Sequence, residues 1–348
     1  MSDRPTAGTA RPLPVLNALV VGCGQIAGGY DSAMPQRRSA GVFSHAGAYR
    51  AHPGFRLLGC VEPDTARRTA FMEHWGIPQG FADLEAALAS GTVFDVVSVC
   101  SPDHAHTPQL ERLLHAPVRG ALCEKPMTTD PVRGAAVAAA WTQAGKTLLV
   151  NYSRRFAPGI RALAAELESG VWGPVQHVTA TYTKGIRHNG AHMVDLLRFL
   201  LGPLTDGPVL RSRPDYRPDD PTVDAVLYTA AGAPVYLVGA GHEHYALFEA
   251  QIVTPCGRID MEDFGFRLRR QPVEDSRRFP GFRQIDAAGT VTDTGLDQAL
   301  PAAVDALYQA VAYGTVPPCG GVEAVAAEHL CDSLRRKALS LPPERTIA

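Results

Sequence analysis

Leu16-Asn17-Ala18-Leu19-Val20-Val21-Gly22-Cys23-Gly24-Gln25-Ile26-Ala27 is the stretch that decides the fold class. An almost wholly apolar run passes without a break into a glycine-rich turn. A short run of this kind, lacking polar alternation, suits a strand buried on both faces. The turn has the spacing G-x-G-x-x-A. Gly22 permits a tight turn, Gly24 lets the backbone approach a pyrophosphate, and Ala27 lets the next helix pack closely. A helix opening at Gln25 and Ile26 would present free N–H groups and its positive dipole end to the phosphates. From these residues alone, a glycine-rich turn holding no nucleotide is the alternative.

The same texture continues outward. Further short apolar runs lie at Arg56–Glu62, Asp95–Cys100, Gly120–Glu124 and Thr147–Asn151. Between them lie stretches of helical character at Thr65–Trp75, Asp83–Ser90, Thr107–His115 and Pro131–Ala144. Strands alternating with helices predict a doubly wound, Rossmann-type parallel sheet over 16–150. Beyond about Val150 the pattern changes. Strand-like stretches follow one another at Val175–Lys184, Val223–Thr229, Val235–Gly241, Phe248–Thr254 and Gly257–Glu262. One helix, Gly190–Leu201, interrupts them, and helical stretches Pro301–Tyr313 and Gly321–Ser340 close the chain. The expectation for 151–348 is an α+β domain with a mostly antiparallel open sheet, its last helices packing back on the first domain. Arg211–Pro221, polar and proline-rich, is expected to be a surface loop, and 1–15 a disordered leader.

Composition sets outer limits. The 348 residues suffice for about two domains. Lys and Arg total 33 against 35 Asp and Glu, a formal charge of −2, which argues against a nucleic-acid partner. No apolar run approaches the length needed to span a bilayer. The seven cysteines form no C-x-x-C pair, so reduced, mostly buried thiols in a cytoplasmic protein are expected.

The second strand ends at Glu62, whose carboxylate would accept hydrogen bonds from the ribose hydroxyls and repel a 2′-phosphate. NAD is therefore favoured, with NADP left open because Arg67 or Arg68 could be redirected. Glu62 falls 38 residues after Gly24, further than the usual 20 or so. The excess fits an insertion at Tyr30–Ser44, containing Asp31, Pro35, Arg37 and Arg38, with no assigned role.

Three later segments narrow the reading: Ser101-Pro102-Asp103-His104-Ala105-His106, Glu124-Lys125-Pro126, and Arg154-Arg155-Phe156-Ala157-Pro158. With His188-Asn189-Gly190-Ala191-His192-Met193-Val194-Asp195, this order resembles the Gfo/Idh/MocA oxidoreductase family over about Leu16 to Cys256. The resemblance implies hydride transfer between a nicotinamide and a secondary hydroxyl or ketone of a sugar, cyclitol or sugar derivative. It places Lys125 at the reacting oxygen and His192 at its proton. Arg154 would lie at the nicotinamide end, and His106 would line the same crevice. Gly22, Gly24, Gln25, Ile26, Glu62, Ser101, Pro102, His106, Glu124, Lys125 and Arg154 are thus the expected cofactor contacts. One departure stands out: His188 occupies the position where the family carries an acid. It would hold substrate or share a proton with His192.

The chemistry asks for these residue types. Removing hydride from a carbinol requires its O–H proton to leave as well, and an imidazole is suited to take it. A neighbouring ammonium stabilises the developing alkoxide. Tyr152, Lys184, His188, Asn189, His192 and Tyr245 are the candidate substrate contacts, packing or surface duty being the alternative for Tyr152, Lys184, Asn189 and Tyr245. Asp195 is expected to pair with Arg198 or cap local backbone. Glu124 and the run Glu262–Arg270 also admit purely structural or surface roles. No metal is expected, because Lys125 would repel a divalent cation near His188 and His192. A cis peptide before Pro126 is left open. The reading is an NAD-dependent dehydrogenase acting on a small polyol or sugar, assembled as a homodimer or homotetramer through its open sheet. The alternatives are an NADPH-dependent ketone or imine reductase, a nucleotide-bound regulator without turnover, and a metal-dependent lyase or hydrolase.

Overall fold

A computed structural model describes residues 14–32 and 41–341. Most of the 1–15 leader, together with Pro35, Arg37 and Arg38 of the insertion, lies outside the described residues.

Six parallel strands form the first sheet: β1 (Leu16–Val21), β2 (Phe55–Val61), β3 (Gln79–Phe81), β4 (Val96–Val99), β5 (Gly120–Cys123) and β6 (Thr147–Val150). Their order is β3-β2-β1-β4-β5-β6. The order reverses between β1 and β4, and a crevice at such a point is where doubly wound sheets take nucleotides. β4 and β5 are buried along their whole length, as a sheet covered on both faces requires. Strand β3 escapes the sequence reading because Gln79-Gly80-Phe81 is neither apolar nor alternating. Pairing with β2 defines it.

The first crossover helix is split. A single wide turn at Gln25–Gly29 leads to a short helical piece at Tyr30–Ser32, and a second helical piece is described at His45–Ala51. Asp31 joins the two pieces, accepting from the Phe43 amide at 3.0 and 3.2 Å and from Ser44 Oγ at 2.6 Å. Ser44 in turn caps the resumed helix by accepting from the Gly47 amide.

The second sheet has nine strands: β7 (His177–Thr183), β8 (Leu204–Arg217), β9 (Asp220–Thr229), β10 (Pro234–Ala240), β11 (Phe248–Thr254), β12 (Gly257–Glu262), β13 (Arg267–Asp275), β14 (Arg283–Ile285) and β15 (Thr290–Asp293). The path runs β14-β13-β12-β11-β7-β10-β9-β8, with β15 also on β13. Among the described strands of this sheet, only β7 and β10 pair in parallel. β10 and β12 alternate between buried and more exposed positions, the mark of a sheet with one covered face. Helix Gly190–Leu201 lies against β7, and helix Gly321–Leu339 lies against β8 and β9. Tyr228, Tyr236 and Val238 remain exposed.

The expected loop at Arg211–Pro221 is corrected: Leu204–Arg217 is one long strand, with β9 beginning at Asp220. It lies at the sheet edge, and its register shifts three times. An edge strand tolerates Pro208 and Pro214, which have no N–H to give to a ladder. The charged run Glu262–Arg270 spans the end of β12, a short turn at Asp263–Gly265 and the start of β13, tied by Arg269–Glu262 and Arg270–Glu166 ion pairs.

The closing helices return to the first sheet. Ala299–Tyr313 packs on β5 and on helix His45–Ala51, and Gly321–Leu339 packs on helices Pro131–Gln143 and Gly190–Leu201. The second of these bridges both halves of the chain. All seven cysteines are unpaired, six of them buried and Cys256 exposed.

Candidate active site

Three chain segments bring their polar side chains to one place. Strand β5 delivers Glu124 and Lys125, followed by a cis peptide to Pro126. Strand β6 delivers Asn151 and a short turn, Ser153–Phe156, carrying Arg154. A wide turn, Gly185–Asn189, opens helix Gly190–Leu201 and carries His188 and Asn189, with His192 one turn on. Asp220 fixes that turn by accepting from the amides of Arg187 at 2.8 Å and His188 at 3.1 Å. Glu124, Lys125, Asn151, Arg154, His188, Asn189 and His192 all line one cavity of about 540 Å³. Lys125 Nζ donates to the His188 carbonyl at 3.3 Å, joining the two halves of the site. The opposite wall is apolar, formed by Ile26, Tyr30, Val42, Phe43, Phe248, Phe264, Phe266 and Leu296.

Burial governs the electrostatics. It holds Lys125 below the usual lysine range, against the pull of Glu124, Asp103 and Asp220. Burial, then the Lys125 charge, keeps His192 well below the ordinary imidazole value. The same two causes, with Lys184 and Arg217, push His188 down to about 3. Both imidazoles are therefore neutral at physiological pH beside an ammonium. His192 can accept a proton, and Lys125 can steady a negative oxygen. Burial alone would raise Glu124, but its bonds to His45 and Asn151 and the Lys125 charge outweigh it and hold the carboxyl down.

The cofactor candidates divide by position. Gly22, at φ 90°, has its missing Cβ facing the Cys100 carbonyl at 2.7 Å, so only glycine fits. A Cβ on Gly24 would meet nothing within 4 Å, leaving open space beside the turn. Gln25 and Ile26 open the wide turn, and Ile26 reaches the cavity. Glu62 follows β2, buried, accepting from the amides of Cys23 at 3.2 Å and Asp64 at 3.1 Å. Arg67 stands 3.5 Å from its carboxylate. Ser101 Oγ donates to Gln109, while Pro102 borders a smaller recess with Arg187, His188 and Arg217.

Four expected site residues lie outside the lining of this cavity. His106 does not line the crevice: it is buried, with its ring nitrogens 2.7 Å from the carbonyls of Pro126 and Ser101. Tyr152 lies behind the cavity, its ring edge-on to His192 at 5.8 Å and its hydroxyl donating to Glu328. Lys184, in left-handed backbone at φ 74°, sends its ammonium over the Tyr216 ring at 5.4 Å. Tyr245 is 61% exposed and outside the cavity lining. Asp195 pairs with Arg155, both oxygens 2.9 Å from Nε, rather than with Arg198.

Three residues escaped the sequence reading. Asn151 is the polar residue directly after β6, a position legible in the sequence. His45 and Glu328 carry no local signal, since each meets its partners from a distant part of the chain. Glu328, on the closing helix, accepts from the amides of Met127 at 2.6 Å and Thr128 at 3.3 Å and from Tyr152 Oη at 3.3 Å. It thereby ties the loop after Lys125 to the tyrosine behind His192. Burial pushes its carboxyl up to about 8, against these three donors. The folded state thus keeps a proton that the unfolded chain releases from about pH 4.5 upward. Stability is expected to fall as pH rises between those two values. Glu328→Gln should flatten the fall, and denaturation midpoints at the two ends of the window check it. An unchanged slope in the variant would refute the assignment.

Residues 16–152 match the family model described as "Oxidoreductase family, NAD-binding Rossmann fold", that of Gfo/Idh/MocA. The D-apiose dehydrogenase of Paraburkholderia graminis is 27% identical over 248 residues, 66% of this chain and 65% of that protein. The inositol 2-dehydrogenase of Rhizobium meliloti is 29% identical over 172 residues, 45% of this chain and 51% of that protein. The matched region therefore spans between about half and two thirds of the length of these relatives. An Agrobacterium radiobacter oxidoreductase, solved with NAD+, L-tartaric acid and magnesium, shares the fold at a TM-score of 0.72 and 20% identity, over 93% of this chain and 96% of that one.

Proposed function

Because residues 16–152 belong to the Gfo/Idh/MocA oxidoreductase family, we propose that the protein transfers hydride between NAD and a secondary hydroxyl of a sugar, cyclitol or related derivative. The observation that carries this is the cavity in which the Lys125 ammonium and the neutral His192 imidazole share one lining.

The residues present fit a nicotinamide dinucleotide. Gly22 permits the tight turn, Gly24 leaves room for a pyrophosphate, and Glu62 directly follows β2, where it can accept from ribose hydroxyls. Two buried polar atoms on cavity-lining side chains have no partner: Asn151 Oδ1, an acceptor, and Arg154 Nε, a donor. A buried polar atom is costly unless satisfied. A primary carboxamide, with one N–H₂ and one C=O, meets both needs. Arg154 is itself held flat over Phe248, at 3.6 Å, by a bond to the Phe264 carbonyl.

The bound nicotinamide supplies the hydride acceptor in the oxidative direction. His192, unprotonated at neutral pH, takes the hydroxyl proton through its free ring nitrogen. Lys125 stabilises the oxygen as it becomes alkoxide-like. Asn189 and His188 offer hydrogen bonds to the neighbouring hydroxyls. His188, pushed down to about 3, positions substrate and holds no proton at neutral pH. The acids near Lys125 are Glu124, Asp103 and Asp220, and these supply negative charge that His188 does not.

The test is a panel of polyols, cyclitols, sugars and nucleotide sugars with NAD and with NADP, followed by nicotinamide absorbance. Reduction of NAD by at least one member is expected. Tight NAD binding with no turnover across the panel would instead indicate a regulator, and NADPH-dependent reduction of ketones a biosynthetic reductase. Glu62→Ala is expected to raise the KM for NAD about 10- to 100-fold, the worth of a charge-assisted pair of bonds. It should also narrow the preference over NADP. An unchanged KM would detach Glu62 from the ribose.

The exposed sheet residues Tyr228, Tyr236 and Val238 support association of copies through that face. The unpaired cysteines support a reducing, cytoplasmic setting. No described helix is long and apolar enough to cross a membrane.

A further inference from the structure

The insertion at 30–44 ends by carrying the chain into a buried polar column. His45, the first residue of the resumed helix, is wholly buried, as is Ser98 of β4. His45 Nε2 lies 2.8 Å from Glu124 Oε1, and its Nδ1 lies 2.8 Å from Ser98 Oγ. Tyr49, one turn along the same helix, places its hydroxyl 2.8 Å from that Ser98 oxygen. Asn151 Nδ2 donates to the same Glu124 oxygen at 2.6 Å. Lys125 follows Glu124 directly in the chain.

We propose that His45 is a positioning residue for catalysis: acting through Glu124, it keeps the Lys125 ammonium charged and in place within the cavity. The proposal rests on the role given to Lys125 above.

The hydrogen-bond directions are self-consistent. An ionised carboxylate only accepts, so the imidazole proton belongs on Nε2, facing Glu124. A neutral ring then accepts at Nδ1 from the Ser98 hydroxyl, which accepts in turn from Tyr49. Every donor in the column points toward Glu124. This is the arrangement by which an outer group fixes the tautomer and orientation of an inner one. Glu124 is faced by His45, Asn151, Lys125 and the thiols of Cys100 and Cys123. Lys125 is faced by Glu124, Asp103, Asp220 and Arg154, and by the neutral His188 and His192. After burial, Glu124 acts most strongly on Lys125. If Glu124 loses the donor that keeps it ionised, Lys125 loses its main counter-charge.

The chain has only four lysines, Lys125, Lys146, Lys184 and Lys337. Isotope-labelled lysine therefore allows the Lys125 titration to be followed by NMR in the full-length protein, with Lys125→Arg assigning the signal. His45→Leu is expected to lower the Lys125 midpoint by about one pH unit and kcat on the order of 10- to 100-fold. His45→Gln, whose amide can still donate to Glu124, should restore the midpoint and most of the rate. An unmoved midpoint in His45→Leu overturns the proposal, as do equal shifts in both variants. A moved midpoint with unchanged kcat also overturns it, unless Lys125→Met is itself fully active. In that case the catalytic reading of Lys125 has failed instead. Should His45→Leu not fold, Ser98→Ala removes only the hydroxyl feeding Nδ1. A smaller downward shift is then expected, and none would overturn the proposal.

Discussion

Lys125→Met is expected to cut kcat about a thousand-fold while leaving NAD binding within a few-fold of the parent. Methionine approximates the length and volume of the lysine stem, so the cavity keeps its shape and loses only the charge. The loss matters because the charge acts where water is scarce. Burial already holds the Lys125 amine below its ordinary value. In such surroundings a positive group facing a developing alkoxide contributes far more than it would in water. Removing one preorganised donor of this kind typically costs 100- to 1,000-fold in rate. Arginine is not expected to rescue. Its planar fork cannot occupy a site shaped for a compact ammonium that donates to the His188 carbonyl at 3.3 Å. Steady-state rates with the best member of the substrate panel, beside a fluorescence titration with NAD, separate the two effects. Turnover within three-fold of the parent would remove Lys125 from the reaction.

What could be read in the sequence follows from how local each signal is. β4 and β5 are legible because a strand buried on both faces must be apolar at every position, and these are. Helix Gly190–Leu201 is legible to its ends because Gly202 stops it and its apolar stripe has helical spacing. β8 is not legible, since an edge strand with one unpaired side accepts the prolines and charges that mark a loop. Lys125 and His192 were found through motifs of fixed spacing. Which neighbours accompany them into the cavity was decided by finer geometry. Tyr152 was expected there and Asn151 was not. Successive side chains of an extended segment point to opposite sides, and it is Asn151 that enters. His45 and Glu328 show the limit most clearly. The first meets Glu124 across 79 positions and the second meets Met127 across 201. Nothing in the residues around either one marks it as different from an ordinary buried polar group.

Asp195→Ala should be among the most damaging single changes to stability, about 3–5 kcal/mol at neutral pH. Asp195 is 1% exposed, and both its oxygens accept from Arg155 Nε at 2.9 Å. Burial pushes the carboxyl up to about 6 against the pull of Arg155, so the pair is charged above that pH. Burial opposes the Arg155 charge as well, but Asp195 outweighs it and raises the guanidinium. Removing Asp195 therefore leaves a buried cation held by the Pro318 carbonyl at 3.3 Å and the Phe199 ring at 5.1 Å, with no counter-charge paired to it. The pair also spans the two halves of the site. Arg155 adjoins Arg154 in the turn after β6, and Asp195 sits three residues beyond His192 on its helix. The stability lost should thus appear with a further loss of rate at temperatures where the protein remains folded. The double variant Arg155→Met, Asp195→Ala is expected to be more stable than Asp195→Ala alone, because it removes the stranded charge with its partner. Denaturant midpoints of the three proteins decide the matter. A double variant no better than the single one would show that the cost lies in lost packing around helix Gly190–Leu201, and not in an uncompensated guanidinium.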